Sequence, residues 1–162
     1  MRGFPEFMRA LPSLFKKIRN LEVVIAGIDR QAYSFCAPNN NGSWKEYMLS
    51  ELKDLVPSKN IHFTGLLNYE DYRALLWRSD LHCYFTRPYV TSWSLFEAAY
   101  CNSRLLFNDG AATSGTVLKG TAKIVSLDSK LEMEKAMIDI LVNDRKNVVR
   151  SKPVKGKELS TC

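Results

Sequence analysis

Asp80 to Asp109 reads D-L-H-C-Y-F-T-R-P-Y-V-T-S-W-S-L-F-E-A-A-Y-C-N-S-R-L-L-F-N-D. Two short apolar runs, Leu81 to Phe85 and Arg104 to Phe107, suit parallel strands buried on both faces. Between them lie a polar crook, Thr86 to Ser94, and a helix carrying one acid, Glu97. A strand, a tight loop and a helix start make an anion site, because the first helical N–H groups lack partners within the helix. An acid one turn further in suits hydroxyls held beside a bound phosphate.

Outward from this stretch the same alternation continues. Phe4, Phe7, Met8, Leu11, Leu14, Phe15 and Ile18 fall at helical spacing, with Gly3 and Pro5 at the start and Pro12 expected to kink or interrupt the helix. Glu22 to Ile28 reads as a buried strand, and residues 29 to 42 as a long loop. Ser43 to Glu46 is a capping box opening a helix to about Leu55, which Pro57 ends. Asn60 to Thr64 is a short strand closed by Gly65, and Asn68 caps a helix from Tyr69 to Arg78. After Phe107 come a Gly/Ala/Thr/Ser-rich segment (109 to 116), a strand from Ala122 to Ser126, and a helix from about Lys130 to Val142. Short β-branched strands alternating with helices predict an α/β fold, a Rossmann-like parallel sheet wrapped by helices.

One position in that fold has no segment to fill it. A doubly wound sheet opens with the strand that lies centrally in the order 3-2-1-4-5-6. This sequence opens with the helix that follows it, so the strands at 22–28 and 80–86 would flank an empty slot. Burying two unpaired strand edges leaves many N–H and C=O groups without partners. Either those strands pair directly, another segment fills the slot, or the chain is a fragment.

The 162 residues suit one domain over 1–144 followed by a basic tail over 145–162. The net charge of +6 belongs to that tail. From Arg145 onward there are six basic residues and one acid, and the remainder carries 17 basic against 16 acidic residues. With no aromatics among the charges, the tail is expected to be solvated and disordered, with peripheral membrane contact as its alternative and no nucleic acid as partner. No apolar run approaches the roughly 18 residues of a membrane span, and the N-terminus lacks the apolar core of a signal peptide. Cys36, Cys83, Cys101 and Cys162 form no C-x-x-C pair, which indicates reduced thiols and a cytoplasmic setting. His62 and His82 have no Cys or acid at ligand spacing, so no metal is expected, and both are read as partly buried strand residues.

Glu97 is the sharpest candidate. Ser94 to Glu97 also satisfies the capping-box pattern, so capping and ligand binding stand as its two roles. Arg87, at the end of a strand, pairs either with a phosphate or with Glu97. Tyr89 and Trp93 either stack on a base or sugar ring or anchor the crook by packing. Arg2 precedes the first helix, where a cation reaches anions held by the helix dipole, and Gly65 allows close backbone approach at a strand end. The sequence contains no G-x-G-x-x-G and no Walker A motif, and spacing assembles no nucleophile with its base, so no catalytic residue is assigned.

Four segments in order carry a resemblance: R-G-F-P-E-F-M-R-A-L-P from Arg2, G-S-W-K-E-Y-M-L from Gly42, H-F-T-G-L-L-N-Y-E-D-Y from His62, and S-D-L-H-C-Y-F-T-R-P-Y-V-T-S-W-S-L-F-E-A from Ser79. Together they resemble glycosyltransferase family 4, most of all a branch with an R-P-F-V-L-S-W-S-L-L-E-A-M-A segment. The resemblance implies the C-terminal, sugar-nucleotide-binding domain of a GT-B fold, truncated at its first strand and facing a separate acceptor-binding domain. It implies that Arg2 contacts the donor diphosphate, that backbone amides from Ser92, Trp93, Ser94 and Leu95 wrap it, and that Glu97 holds the ribose hydroxyls. The base would lie against Gly65 and Leu66.

The resemblance also implies a retaining, hexosyltransferase-type reaction by front-face attack, without metal or cofactor, in polysaccharide or other envelope-glycan assembly. Tyr89 stands where the family carries the first acid of E-x7-E, Asn102 where a Gly usually follows Cys, and the 109–116 segment lacks a common Glu. The family's final helix, which crosses back to the other domain, is replaced by the basic tail. Of a different class is the alternative of a non-catalytic nucleotide-binding or partner-binding module, or an inactive fragment of a longer glycosyltransferase.

Overall fold

Gly3 opens α1 (Phe4–Lys17) in the left-handed region at φ +56°, and Pro5 fits the first turn, whose N–H groups the helix does not use. The computed structural model describes residues 3–29, 37, 43–87, 92–101, 103–110 and 122–143. Contrary to the expected break, α1 runs through Pro12 in one piece. The ring removes one N–H from the ladder, but Met8, Ala10, Leu11 and Leu14 are buried on either side of it. They hold the helix in two cores at once. Met8 and Leu11 pack with Val23, Met48, Leu52 and Ile61, while Ala10, Leu14 and Ile18 pack with Phe85, Leu106, Met133 and Met137.

A side chain at residue 3 is excluded twice over. Its Cβ would lie 2.5 Å from Phe85 Cβ and 3.1 Å from Leu127 Cδ2, on a backbone that disfavours any Cβ. Gly3→Ala is therefore expected to lower stability by about 2 kcal/mol, with the loss visible as a lower urea midpoint at unchanged m-value.

The strands are short, and those described pair in parallel, with one isolated antiparallel bridge from Gly27 to Gly65. β1 (Val23–Ala26) pairs with β2 (Ile61–Gly65), Val23 opposite Ile61. Separately, β3 (His82–Tyr84) pairs with β4 (Leu105–Asn108), and β4 with β5 (Ala122–Val125). The fold is thus α/β and Rossmann-like, two small parallel sheets flanked by helices. Alternation along β3 and β4 assigns the faces. Phe85 and Leu106 point to α1 and to α5 (Lys130–Ile138), while Tyr84, Leu105 and Phe107 point to α3 (Tyr69–Arg78) and α4 (Trp93–Tyr100). α2 (Trp44–Glu51) joins the α1 side, packing Met48 beneath β1 and β2. Its capping box is as expected, with Ser43 Oγ accepting from Glu46 N at 3.1 Å.

Of the three outcomes left open for the slot, direct pairing of β1 with β3 does not occur. Both strand sets nevertheless end at the amino terminus of α1. Phe4 packs edge-on against Phe63 near the end of β2, and Gly3 sits on Phe85 just past the end of β3. The two sheets therefore run in one direction. Between β1 and β3 lies a cavity of about 700 Å³. The expected helix to Val142 changes character after Ile138 into a π-helical turn, Asp139–Asn143. The basic tail lies outside the described residues, and among those described no helix is long and apolar enough to cross a membrane.

Candidate functional site at the strand ends

The crook is held at both of its described ends by buried polar side chains. Asn108, 4% exposed at the end of β4, accepts from Thr86 N at 2.7 Å and donates to Thr86 O at 2.8 Å and Asp109 O at 3.0 Å. Tyr84 reaches up from β3, its hydroxyl accepting from Ser92 N at 2.9 Å. Ser92 then caps α4, its Oγ accepting from Ser94 N at 3.4 Å and from Ser94 Oγ at 3.1 Å. The helix begins at Trp93, so Ser94 is not the cap and Glu97 is not its reciprocal acid. With Ser92 as the cap, Ser94 is the second and Glu97 the fifth residue of the helix, each two positions further in than a capping box requires.

Freed from that role, Glu97 stands beside α3. Burial, and next the nearby Glu97 carboxylate, push the Tyr72 phenol up to about 12. The Tyr72 hydroxyl is buried without a hydrogen-bond partner among the described residues. Tyr72 and Ser94 both border the cavity between β1 and β3. The carboxylate, the phenol and the serine hydroxyl thus offer a small polar set capable of accepting and donating to vicinal hydroxyls.

On the chain itself Arg87 pairs with acids other than Glu97: its Nη2 lies 2.7 Å from Glu6 Oε1 and 3.8 Å from Asp128 Oδ1. The cause is α1, whose first turn sits over the end of β3 and carries Glu6 to the guanidinium. Leu95 is fully buried, whereas Trp93 is 82% exposed and, among the described aromatic rings, lies against Phe96 at 6.2 Å between centroids. A core anchor it is not. Arg2 and Tyr89 lie outside the described residues.

Gly65 closes β2 at φ +67°, its carbonyl accepting from Gly27 N at 2.9 Å, and Leu66 beyond it is 78% exposed. These two belong to the first sheet and the crook to the second, with the cavity between the sheets. Of the four amides expected to cradle an anion, three are engaged internally: Ser92 with Tyr84, and Ser94 and Leu95 with Ser92. The Ser94 contact is long, and a charged oxygen would compete well for it.

Sequence reasoning missed Asn108, Tyr84 and Tyr72. Tyr84 and Tyr72 stood in predicted elements as apolar face residues, and nothing in their spacing tells where a hydroxyl ends. Asn108 carried one legible signal, a polar residue directly after a buried strand. His62 is exposed and bonded to Glu22 Oε2 at 2.7 Å, whereas His82 is partly buried as expected. Cys83 and Cys101 are free thiols, and burial pushes Cys83 up to about 12. Among the described residues no three His, Cys, Asp or Glu side chains are grouped to hold a metal. Comparison with protein-family models, curated proteins and solved structures finds no match to this chain.

Proposed function

We propose that this chain supplies the donor-binding half of a retaining, hexosyltransferase-type glycosyltransferase that uses a nucleotide-diphosphate sugar. The observation that most supports the reading is where Glu97 and the capped amino end of α4 lie: near the carboxyl ends of parallel strands, where open α/β sheets take ligands. In this reading Glu97 accepts the ribose hydroxyls beside Tyr72, and the α4 dipole faces the diphosphate. Trp93 stacks on base or sugar. Arg2 and Tyr89 enter through the sequence resemblance alone.

Retention by front-face attack requires no enzyme nucleophile, so the chain's work is positioning and neutralising the departing diphosphate. A facing acceptor-binding domain or chain would complete the cleft, in a cytoplasmic setting of glycan assembly. One observation favours a second reading, a nucleotide-binding module without catalysis: Glu6 and Asp128 already neutralise Arg87.

Calorimetric titration of UDP, GDP and ADP into the purified chain tests both. One of the three is expected to bind, and Glu97→Ala to weaken it at least tenfold, about 1.4 kcal/mol. Binding indifferent to Glu97, or no binding by any of the three, would remove the ribose assignment and with it the reading. Hydrolysis of the matching sugar nucleotide above the buffer rate separates transferase from module.

A further inference from the structure

Every exposed side chain on α4 is aromatic. Trp93, Phe96 and Tyr100 stand at the i, i+3, i+7 spacing of a helical seam, while Leu95 and Ala98 on the other side of the helix are fully buried. Trp93 and Tyr100 are about four-fifths exposed and Phe96 more than a third. The neighbouring α3 adds Tyr69, more than half exposed, and Trp77, more than a third, with the Arg73 guanidinium 5.9 Å and 4.8 Å from their ring centroids. The two helices share one core through Leu76, Leu95 and Ala98, and the charge of Arg73 reaches Cys101 at the end of α4. The five rings thus belong to one surface. Aromatic side chains present about 150–250 Å² each, so these fractions leave about 600 Å² of ring in water, the upper end of what a monomer exposes in one patch.

We propose that this face is the interface of a twofold-symmetric homodimer, in which α4 packs on α4 of a second copy with α3 on its flank. Area and charge both point to a second copy as the occupant. A standard interface takes ~800 Å² from each partner, and about 65% of it is apolar in homodimers, close to what the rings offer. A face that meets its own copy must not repel itself. α4 carries one charged side chain, Glu97, which lies beside Tyr72 and not on the stripe, and the exposed charges of α3 balance, Glu70 and Asp71 against Arg73 and Arg78. The same charges argue against a bilayer, whose interfacial helices set Lys and Arg beside the apolar stripe. Trp, Tyr and Arg are also the side chains that carry most of the binding energy when a partner covers them. The axis passes nearest Phe96 and Tyr100. Trp93, at the amino end of α4, falls at the rim, which stays in contact with solvent, so the stacking role given to it above is kept.

This inference does not depend on the nucleotide reading, and its test contains no nucleotide. The measurement is sedimentation equilibrium of the purified full chain. At ~100 μM, well above the ~1 μM at which the weaker standard interfaces hold, the mass is expected to be twice the chain's 18.5 kDa. Tyr100→Glu changes a side chain that is mostly in water, so the fold is kept, as far-UV circular dichroism checks, while a carboxylate from each copy enters the interface. It is expected to raise the dissociation constant about a hundredfold or more. Leu131→Glu alters an equally exposed apolar residue on α5, which packs in a different core, and is expected to leave the dimer intact. A monomer at that concentration, a dimer undiminished by Tyr100→Glu, or one equally weakened by Leu131→Glu overturns the inference. So does a monomer that co-sediments with phosphatidylcholine–phosphatidylserine vesicles, which would make a bilayer the occupant.

Discussion

Between pH 6.5 and pH 4 the protein is expected to lose about 3 kcal/mol of stability through a single residue, His82. Its Nε2 is buried with no hydrogen-bond partner among the described residues, and burial alone pushes the imidazole from 6.5 down to about 4. Above pH 6.5 the ring is neutral in both folded and unfolded chains, and it contributes nothing to the pH dependence. As the pH falls, the unfolded chain takes up the proton first while the folded one refuses it. Stability therefore drops by about 1.4 kcal/mol per pH unit until the folded ring also protonates near 4, after which the loss stops growing. The carboxylates act in a different window. Glu51, bonded to Arg9, is held below 4.5, so its contribution is lost only as the pH falls under that value. Urea unfolding at pH 7.0, 6.0, 5.0 and 4.5 measures the slope directly. His82→Phe keeps a ring in the same place and removes the titration, so its curve is expected to be nearly flat above pH 4.5. An unchanged slope in that variant would show that His82 does not govern the acid limit.

Asn108→Ala is expected to lower stability by about 3 kcal/mol and to loosen the crook. The side chain satisfies both the N–H and the C=O of Thr86 from a position 4% exposed. Truncation leaves those two backbone groups without this partner, each costing about 1–3 kcal/mol when unsatisfied. Asn108→Leu, which fills the space but offers no hydrogen bond, is expected to be as damaging. The measurement is again a urea midpoint, joined to amide exchange at Thr86. A loss below 1 kcal/mol, or no acceleration of Thr86 exchange, would mean that the turn is held elsewhere. Because the crook leads into the Ser92 cap, the variant is also expected to weaken any nucleotide binding that Glu97→Ala weakens, and through a different cause.

Most of the elements were legible because each rested on local chemistry. The Ser43 cap, the Asn68 cap and the Gly at the end of β2 are decided by groups within three residues of one another. Pro12 was misread for the opposite reason. A proline inside an isolated helix costs a hydrogen bond and a clash, but α1 is clamped by two cores that no local rule describes. Ser94 and Glu97 were misread as a cap because two serines compete for that place. Tyr84, distant from the pattern, holds the Ser92 amide. For Arg87 the sequence offered Glu97 as the acid on the chain, whereas the acid that meets it, Glu6, is 81 residues away.

The sequence by itself determined the class of the fold and the parallel sense of the strands. Both follow from the period and order of apolar runs, which are written along the chain. Only the tertiary structure decided which polar atoms meet. It gave Arg87 to Glu6, Thr86 to Asn108 and Ser92 to Tyr84. It also set a cavity between β1 and β3. Hydrogen bonds and ion pairs form over about 3 Å, so they depend on the positions that packing sets between elements. Strand and helix periodicity needs only neighbours, and for that reason it survives in the sequence alone.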